Sequence, residues 1–210
     1  MPAGATTVQS MTMPPFDELV LPHPEALRDW LAEHHATSPG VLLVLGKAGG
    51  SVTTITWESA VEELLCVGWI DGVAGKRDDE TYTVRVTPRR PKGMWSARNV
   101  ALVDKLEAEG RMQPSGRTAV DLAKADGRWD RAYASSANAE VPDDLAIAIA
   151  KDPAAQAMWD VLTKTNRFSL IYRVTSVKRA ETRTRNIAAV VAMLARGDTP
   201  HPQKARPKPM

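Results

Sequence analysis

The chain has 210 residues, of which 43% are hydrophobic and 25% charged, the balance of an ordinary globular protein. Its formal net charge of +2 is too small to argue for a nucleic-acid partner. The single cysteine, Cys66, excludes an internal disulfide framework, and no run approaches the roughly 18 apolar residues of a membrane helix.

Residues 1–15 are small and polar and end in Pro14-Pro15, so they are expected to be disordered, and they lack the features of a secretory signal. Together with a lone cysteine inside an apolar helix, this points to a reducing, cytoplasmic location.

An α+β domain is expected over 16–133. Pro24 suits the first position of a helix whose Leu27, Trp30, Leu31 and His34 share one face. Val41–Leu45 is a continuous apolar run that reads as a buried strand, and Val52–Ile55 as a second strand returning beside it. Thr56 can cap a helix whose buried stripe is Trp57, Ala60, Val61, Leu64 and Leu65, with Gly68 as its stop.

Trp69–Val73 and Thr81–Val86 read as a hairpin about the loop Gly75–Glu80. Symmetry about Asp78 pairs Ile70 with Val86, Gly72 with Val84, Trp69 with Thr87 and Asp71 with Arg85. Prolines in Pro88-Arg89-Arg90-Pro91 end the ladder. Ser96 is a good helix cap, Gly110 stops that helix, and a further helix is expected over 115–125.

The small-residue run 134–140 reads as a linker to an all-helical subdomain over 141–197, with helices near 143–151, 153–163, 167–177 and 178–196. In the last, Ala180, Thr184, Ile187, Val191 and Leu194 make one packing stripe. The basic, proline-rich residues 198–210 are expected to be an unfolded tail. The fold class is therefore α+β, a small, mainly antiparallel sheet flanked by helices and followed by the helical subdomain.

The most suggestive stretch is Gly68-Trp69-Ile70-Asp71-Gly72. Its small residues admit a close approach around an indole and a carboxylate. With Arg85, Arg89 and Arg90 it could hold a small polar or anionic molecule, and the helix start at Trp95, Ser96 and Asn99 offers free N–H groups to the same anion. A structural ion pair beside a core tryptophan is the favoured explanation of the first stretch, and helix capping explains Ser96 better than nucleophilic chemistry. His34-His35 has no second ligand cluster for zinc, Asp78-Asp79-Glu80 lacks the features of a calcium loop, and Cys66 reads as a small core residue. No motif calls for a metal or a cofactor. The basic run Lys178–Arg185 could meet an acidic partner, but the absence of interleaved aromatics argues against nucleic acid.

Several stretches occur together in a recognisable order. They are Trp30-Leu31, Pro39-Gly40-Val41, Ala60-Val61-Glu62-Glu63, Leu65 through Gly72, Pro88-Arg89-Arg90-Pro91, Trp95-Ser96 with Asn99, and Gly110-Arg111-Met112. Val141-Pro142-Asp143-Asp144-Leu145 and Glu181-Thr182-Arg183 complete the set. Over roughly 16–197 the chain resembles the YdeI/OmpD-associated, or bacteriocin-protection, family. It departs from that pattern at Val67, where an aromatic is usual, near Gly93 and before Glu181. The resemblance implies protection against bacteriocins or peptides and brings no catalytic residue, so three readings stand. One is a protective protein that binds a small anionic or polar ligand through Trp69, Asp71, Arg85, Arg89, Arg90, Trp95, Ser96 and Asn99. The second is an enzyme on a small anionic substrate with Asp71 as general base. The third is a protein- or nucleic-acid-binding adaptor using residues 178–185. No reading involves a membrane.

Overall fold

A computed structural model describes residues 16–133 and 139–207. The expected disordered N-terminus 1–15, most of the 134–140 linker and residues 208–210 lie outside the described residues. The chain divides into two compact units. Unit 1 comprises residues 1–91 and 105–122, and unit 2 comprises 92–104 and 123–210.

Unit 1 is built on a four-stranded sheet in the order β1-β2-β4-β3. The strands are β1 (Glu18–Leu19), β2 (Val41–Gly46), β3 (Trp69–Lys76) and β4 (Thr81–Pro88). β1 runs parallel to β2, and the other pairs are antiparallel. Helices α1 (Pro24–His34) and α2 (Trp57–Cys66) cover one face. Leu27 and Leu31 of α1 and Ala60 and Leu64 of α2 pack there on Leu43, Leu45, Trp69, Val84 and Val86, all buried. Inward residues alternate along β2 and β4, and on the other face Val44 and its partner Thr83 are buried as well. Thr56 caps α2 in a reciprocal capping box with Ser59, as its position before the apolar stripe predicts.

Two local expectations are corrected. Val52–Ile55 forms no strand. The Ile55 N–H is taken by the Thr53 hydroxyl at 3.1 Å and that of Thr54 by the Pro22 carbonyl at 2.9 Å, so these groups are satisfied one by one. The fourth strand is the two-residue β1, too short to announce itself in the sequence. The hairpin register also differs: Trp69 lies opposite Pro88, Ile70 opposite Thr87 and Asp71 opposite Val86. A bulge between Asp71 and Ala74 shifts the pairing so that Ala74 faces Val84. The loop is only residues 77–80, pinned by the Asp78 carboxylate, which accepts from the N–H groups of Glu80 and Thr81 at 3.0 and 2.7 Å.

Unit 2 contains α5 (Asp143–Ala150), α6 (Pro153–Asp160), α7 (Lys164–Thr175) and α8 (Ala180–Ala195), close to the ranges that periodicity predicts. Their core is Leu145, Ile149, Met158, Trp159, Leu170, Val174, Val190 and Leu194. The remaining helices are α3 (Ala97–Ala108) and α4 (Pro114–Ala125), each spanning a boundary between the units. Residues 199–207, whose composition suggested an unfolded tail, hydrogen-bond to α7 and its N-cap. Buried Asn166 donates to His201 O at 3.1 Å and to Gln203 Oε1 at 2.7 Å, and accepts from His201 N at 2.8 Å. These bonds satisfy a buried amide that would otherwise cost about 1–3 kcal/mol.

Candidate functional site

The Gly68–Gly72 stretch supplies structural contacts. Trp69 is 1% exposed, packs edge-on to Trp30 with centroids 6.0 Å apart, and donates its indole N–H to the His35 carbonyl at 3.1 Å. Asp71 accepts from the Trp57 indole N–H at 3.0 Å, which ties β3 to the start of α2. Gly72 lies at the bulge, where a side chain would crowd the Arg85 backbone carbonyl. The Arg89 N–H donates to Gly68 O at 3.0 Å, so the two motifs meet through the backbone, and Arg90 is exposed.

Trp95, Ser96 and Asn99 belong to unit 2. Trp95 is buried against Trp129 with centroids 5.0 Å apart. The Ser96 hydroxyl accepts from Asn99 N at 3.1 Å, which is the capping role its position predicts, and Asn99 is buried. None of these eight residues lines any of the three cavities described below.

The largest of these cavities belongs to unit 1 and has a volume of about 710 Å³. Its walls are α1 (Arg28, Leu31, His35), the C-terminal turn of α2 (Glu63, Cys66, Val67) and the segment Arg111–Ser115 that opens α4. Two close approaches frame it. The Gln113 N–H donates to Cys66 O at 2.9 Å, and Gly116 sits so near that a Cβ there would lie 2.3 Å from the same oxygen.

Charge is concentrated in this wall. The Glu63 carboxylate, only 4% exposed, accepts from Arg28 Nε at 3.0 Å and Nη2 at 2.8 Å, and from Arg111 Nη2 at 2.7 Å. Arg111 also donates through Nη1 to Glu62 at 2.8 Å and to Glu109 at 3.1 Å, and Lys105 pairs with Glu62 at 2.7 Å. Hydrogen bonds from Lys105 and then Arg111 hold the Glu62 carboxyl below its usual range. Burial opposes the charge on Arg111, but its bonds to Glu62 and Glu109 and the charge of Glu63 outweigh burial and raise its pKa. Burial pushes the Cys66 thiol up to about 11, with the Glu63 charge adding to the effect.

Two donors in this wall are left over. Arg111 Nε and Ser115 Oγ are both buried, with no hydrogen-bond partner among the described residues. A buried unpartnered polar atom costs about 1–3 kcal/mol. The residue types are visible in the sequence. Their meeting is not, because Arg28, Glu63 and Arg111 are brought together across 35 and 48 residues of chain.

A second cavity of unit 1, about 600 Å³, lies beside the stacked rings of Trp30 and His34. The third, about 310 Å³, belongs to unit 2 and is walled by Tyr133, Phe168 and Tyr172. Among the described residues no group of three or more His, Cys, Asp or Glu could hold a metal ion, and no helix is long and apolar enough to cross a membrane.

Residues 138–197 match the family described as bacteriocin-protection, YdeI or OmpD-associated. Residues 19–119 match a family described as a domain of unknown function (DUF8412). The bacteriocin-protection match thus takes in α5–α8, and the other match takes in the sheet and the 710 Å³ cavity. No curated protein and no solved structure matches the chain.

Proposed function

We propose that this protein is a cytoplasmic protective protein that acts by binding a small polar or anionic molecule. Its binding site would be the cleft walled by Arg28, Glu63, Cys66, Arg111 and Ser115, directly behind the Gly68–Gly72 stretch. The observation that carries the reading is the pair of unpartnered buried donors, Arg111 Nε and Ser115 Oγ, in the wall of a cavity of about 710 Å³. That volume lies in the range of about 300–1,000 Å³ usual for ligand pockets. An acceptor oxygen of the ligand would take these donors, and Leu31, Ala32 and Val67 would meet its apolar part. The buried free thiol of Cys66 suits a reducing compartment.

Binding is favoured over catalysis at this site. Both Glu63 oxygens already accept from guanidinium groups, and the neutral thiol of Cys66 is a poor nucleophile near pH 7. Asp71, the alternative general base, lines none of the three cavities and is held by Trp57.

Thermal unfolding against a panel of phosphate, sulfate, mono- and dicarboxylates and amino acids tests the proposal. A ligand at 100 times its Kd adds about 2.7 kcal/mol of stability. Ser115→Ala should weaken the best ligand by roughly 2- to 10-fold, the value of one hydrogen bond. A panel that leaves unfolding unchanged would overturn the proposal, as would a ligand indifferent to Ser115→Ala.

A further inference from the structure

The sequence offers no basic run interleaved with aromatics, but the fold of unit 2 assembles one from distant positions. Tyr133 and Tyr172 meet edge to face with centroids 5.1 Å apart, and Phe168 lies 6.1 and 6.0 Å from the two. Phe168 and Tyr172 stand one turn apart on α7, and all three rings are partly exposed in the wall of the 310 Å³ cavity. That cavity has room for one flat ring rather than an extended ligand.

Its rim is basic. Arg131 lines the cavity, is exposed, and donates to Asp126 O at 3.3 Å. Lys178 is close to the same residue. Hydrogen bonds from Arg128 chiefly hold the Asp126 carboxyl below its usual range, and the Lys178 charge adds to this. Arg173 and Arg179 are exposed on either side of the α7 C-terminus. Glu140 also lines the cavity, Asp126 is engaged by Arg128 at 2.7 Å, and Asp130 and Glu181 are exposed next to Arg131 and near Arg179 in the chain. Unit 2 as a whole carries 17 Lys and Arg against 10 Asp and Glu, a formal net of +7, whereas unit 1 carries 10 against 15, a net of −5. The +2 of the whole chain conceals this division.

We propose that the Tyr133–Phe168–Tyr172 cleft binds a nucleotide, with its base stacked on the aromatic wall and its phosphate held at the Arg131 and Lys178 rim. Base–aromatic stacking needs only a π-face, and the basic rim supplies the phosphate attraction, the two components by which single strands are held without sequence readout. The same chemistry serves a free mononucleotide and one residue of a single strand.

The test uses the full chain, a fluorescein-labelled ten-nucleotide single-stranded RNA followed by polarisation, and AMP and adenosine as competitors. The labelled strand should bind, more weakly as salt rises. Tyr172→Leu should weaken binding roughly tenfold, from the loss of one stacked base. Arg131→Ala combined with Lys178→Ala should weaken it at least as much. Arg131 is on the surface, so this second variant carries the test if Tyr172→Leu fails to fold. Displacement of the strand by AMP identifies a free nucleotide as the ligand, and binding of the strand without such displacement identifies a single strand. Either supports the proposal. It is overturned if neither the strand nor AMP binds, if adenosine competes as well as AMP, or if both variants bind like the wild type.

Discussion

Trp69 donates its indole N–H to the backbone carbonyl of His35 at 3.1 Å, across 34 residues of chain. His35 lines the 710 Å³ cleft, so the tryptophan of the most suggestive motif supports the cleft from behind. Trp69→Phe keeps the ring packing and deletes the donor, leaving a part-buried carbonyl unsatisfied. It should cost about 1–2 kcal/mol in chemical denaturation. A variant as stable as the wild type would show that this bond does not hold α1 in place.

Glu63 joins Arg28 to Arg111 and is the most deeply buried charge in the cleft wall. Glu63→Gln preserves shape and removes the charge that two guanidinium groups share. The expected loss is about 3 kcal/mol, the low end for breaking a buried pair, because Arg28 is half exposed. Denaturant unfolding reads this directly, and a loss under about 1 kcal/mol, the value of a surface pair, would contradict the assignment.

Gly116 lies inside α4, where replacing glycine by alanine ordinarily stabilises a helix by about 1 kcal/mol. Here the added Cβ would meet Cys66 O at 2.3 Å and Leu65 O at 2.9 Å, both backbone atoms that cannot rotate away. Gly116→Ala should therefore destabilise, by about 1–3 kcal/mol, and open the cleft wall where Gln113 bonds to Cys66. A thermal midpoint at or above that of the wild type would contradict the close approach.

Two groups of this wall set opposite pH limits. The folded pKa of Glu62 is lowered by Lys105 and Arg111, so its contribution is present above the ordinary carboxylate range and is lost as pH falls through the folded value. The folded pKa of Cys66 is raised from 9.0 to about 11, so unfolding, which frees the thiol to ionise, becomes easier between those values. Stability followed against pH should fall on the acid side less steeply in Glu62→Gln, and on the alkaline side less steeply in Cys66→Ala. Unchanged slopes would contradict these environments.

Much of unit 2 was legible from sequence because helices announce themselves locally. In α8 Leu194 is buried and Ile187 and Val191 pack on the core as expected, although Ala180 and Thr184 are exposed and Val190 is buried instead, and Pro153 opens α6 behind the Asp152 cap. The α+β class followed from the apolar run Val41–Leu45 and the hairpin arms. The hairpin register did not, because the loop is centred on Asp79 rather than Asp78, with Lys76 facing Tyr82, and the bulge at Gly72-Val73 reverses only half of that offset. Gly68–Gly72 looked like a site because indole, carboxylate and glycines stand together in sequence, yet Trp69 and Asp71 hold backbone and helix α2. The cleft residues gave no local signal. Glu63 reads as a charge on the outward side of its helix, yet it is buried, because Arg28 and Arg111 reach it from distant segments. The Tyr133–Phe168–Tyr172 wall was hidden in the same way, by 35 residues separating its first two rings.

The most direct test of the central claim is the affinity of the best panel anion for wild type and for Ala32→Trp. Ala32 lines the cleft and is exposed, one helical turn after Arg28, so the larger ring would occupy the cavity mouth beside that arginine. Binding in the cleft predicts at least a tenfold loss of affinity, with unfolding of the ligand-free protein unchanged. Equal affinity in the two proteins would place the ligand elsewhere and contradict the account.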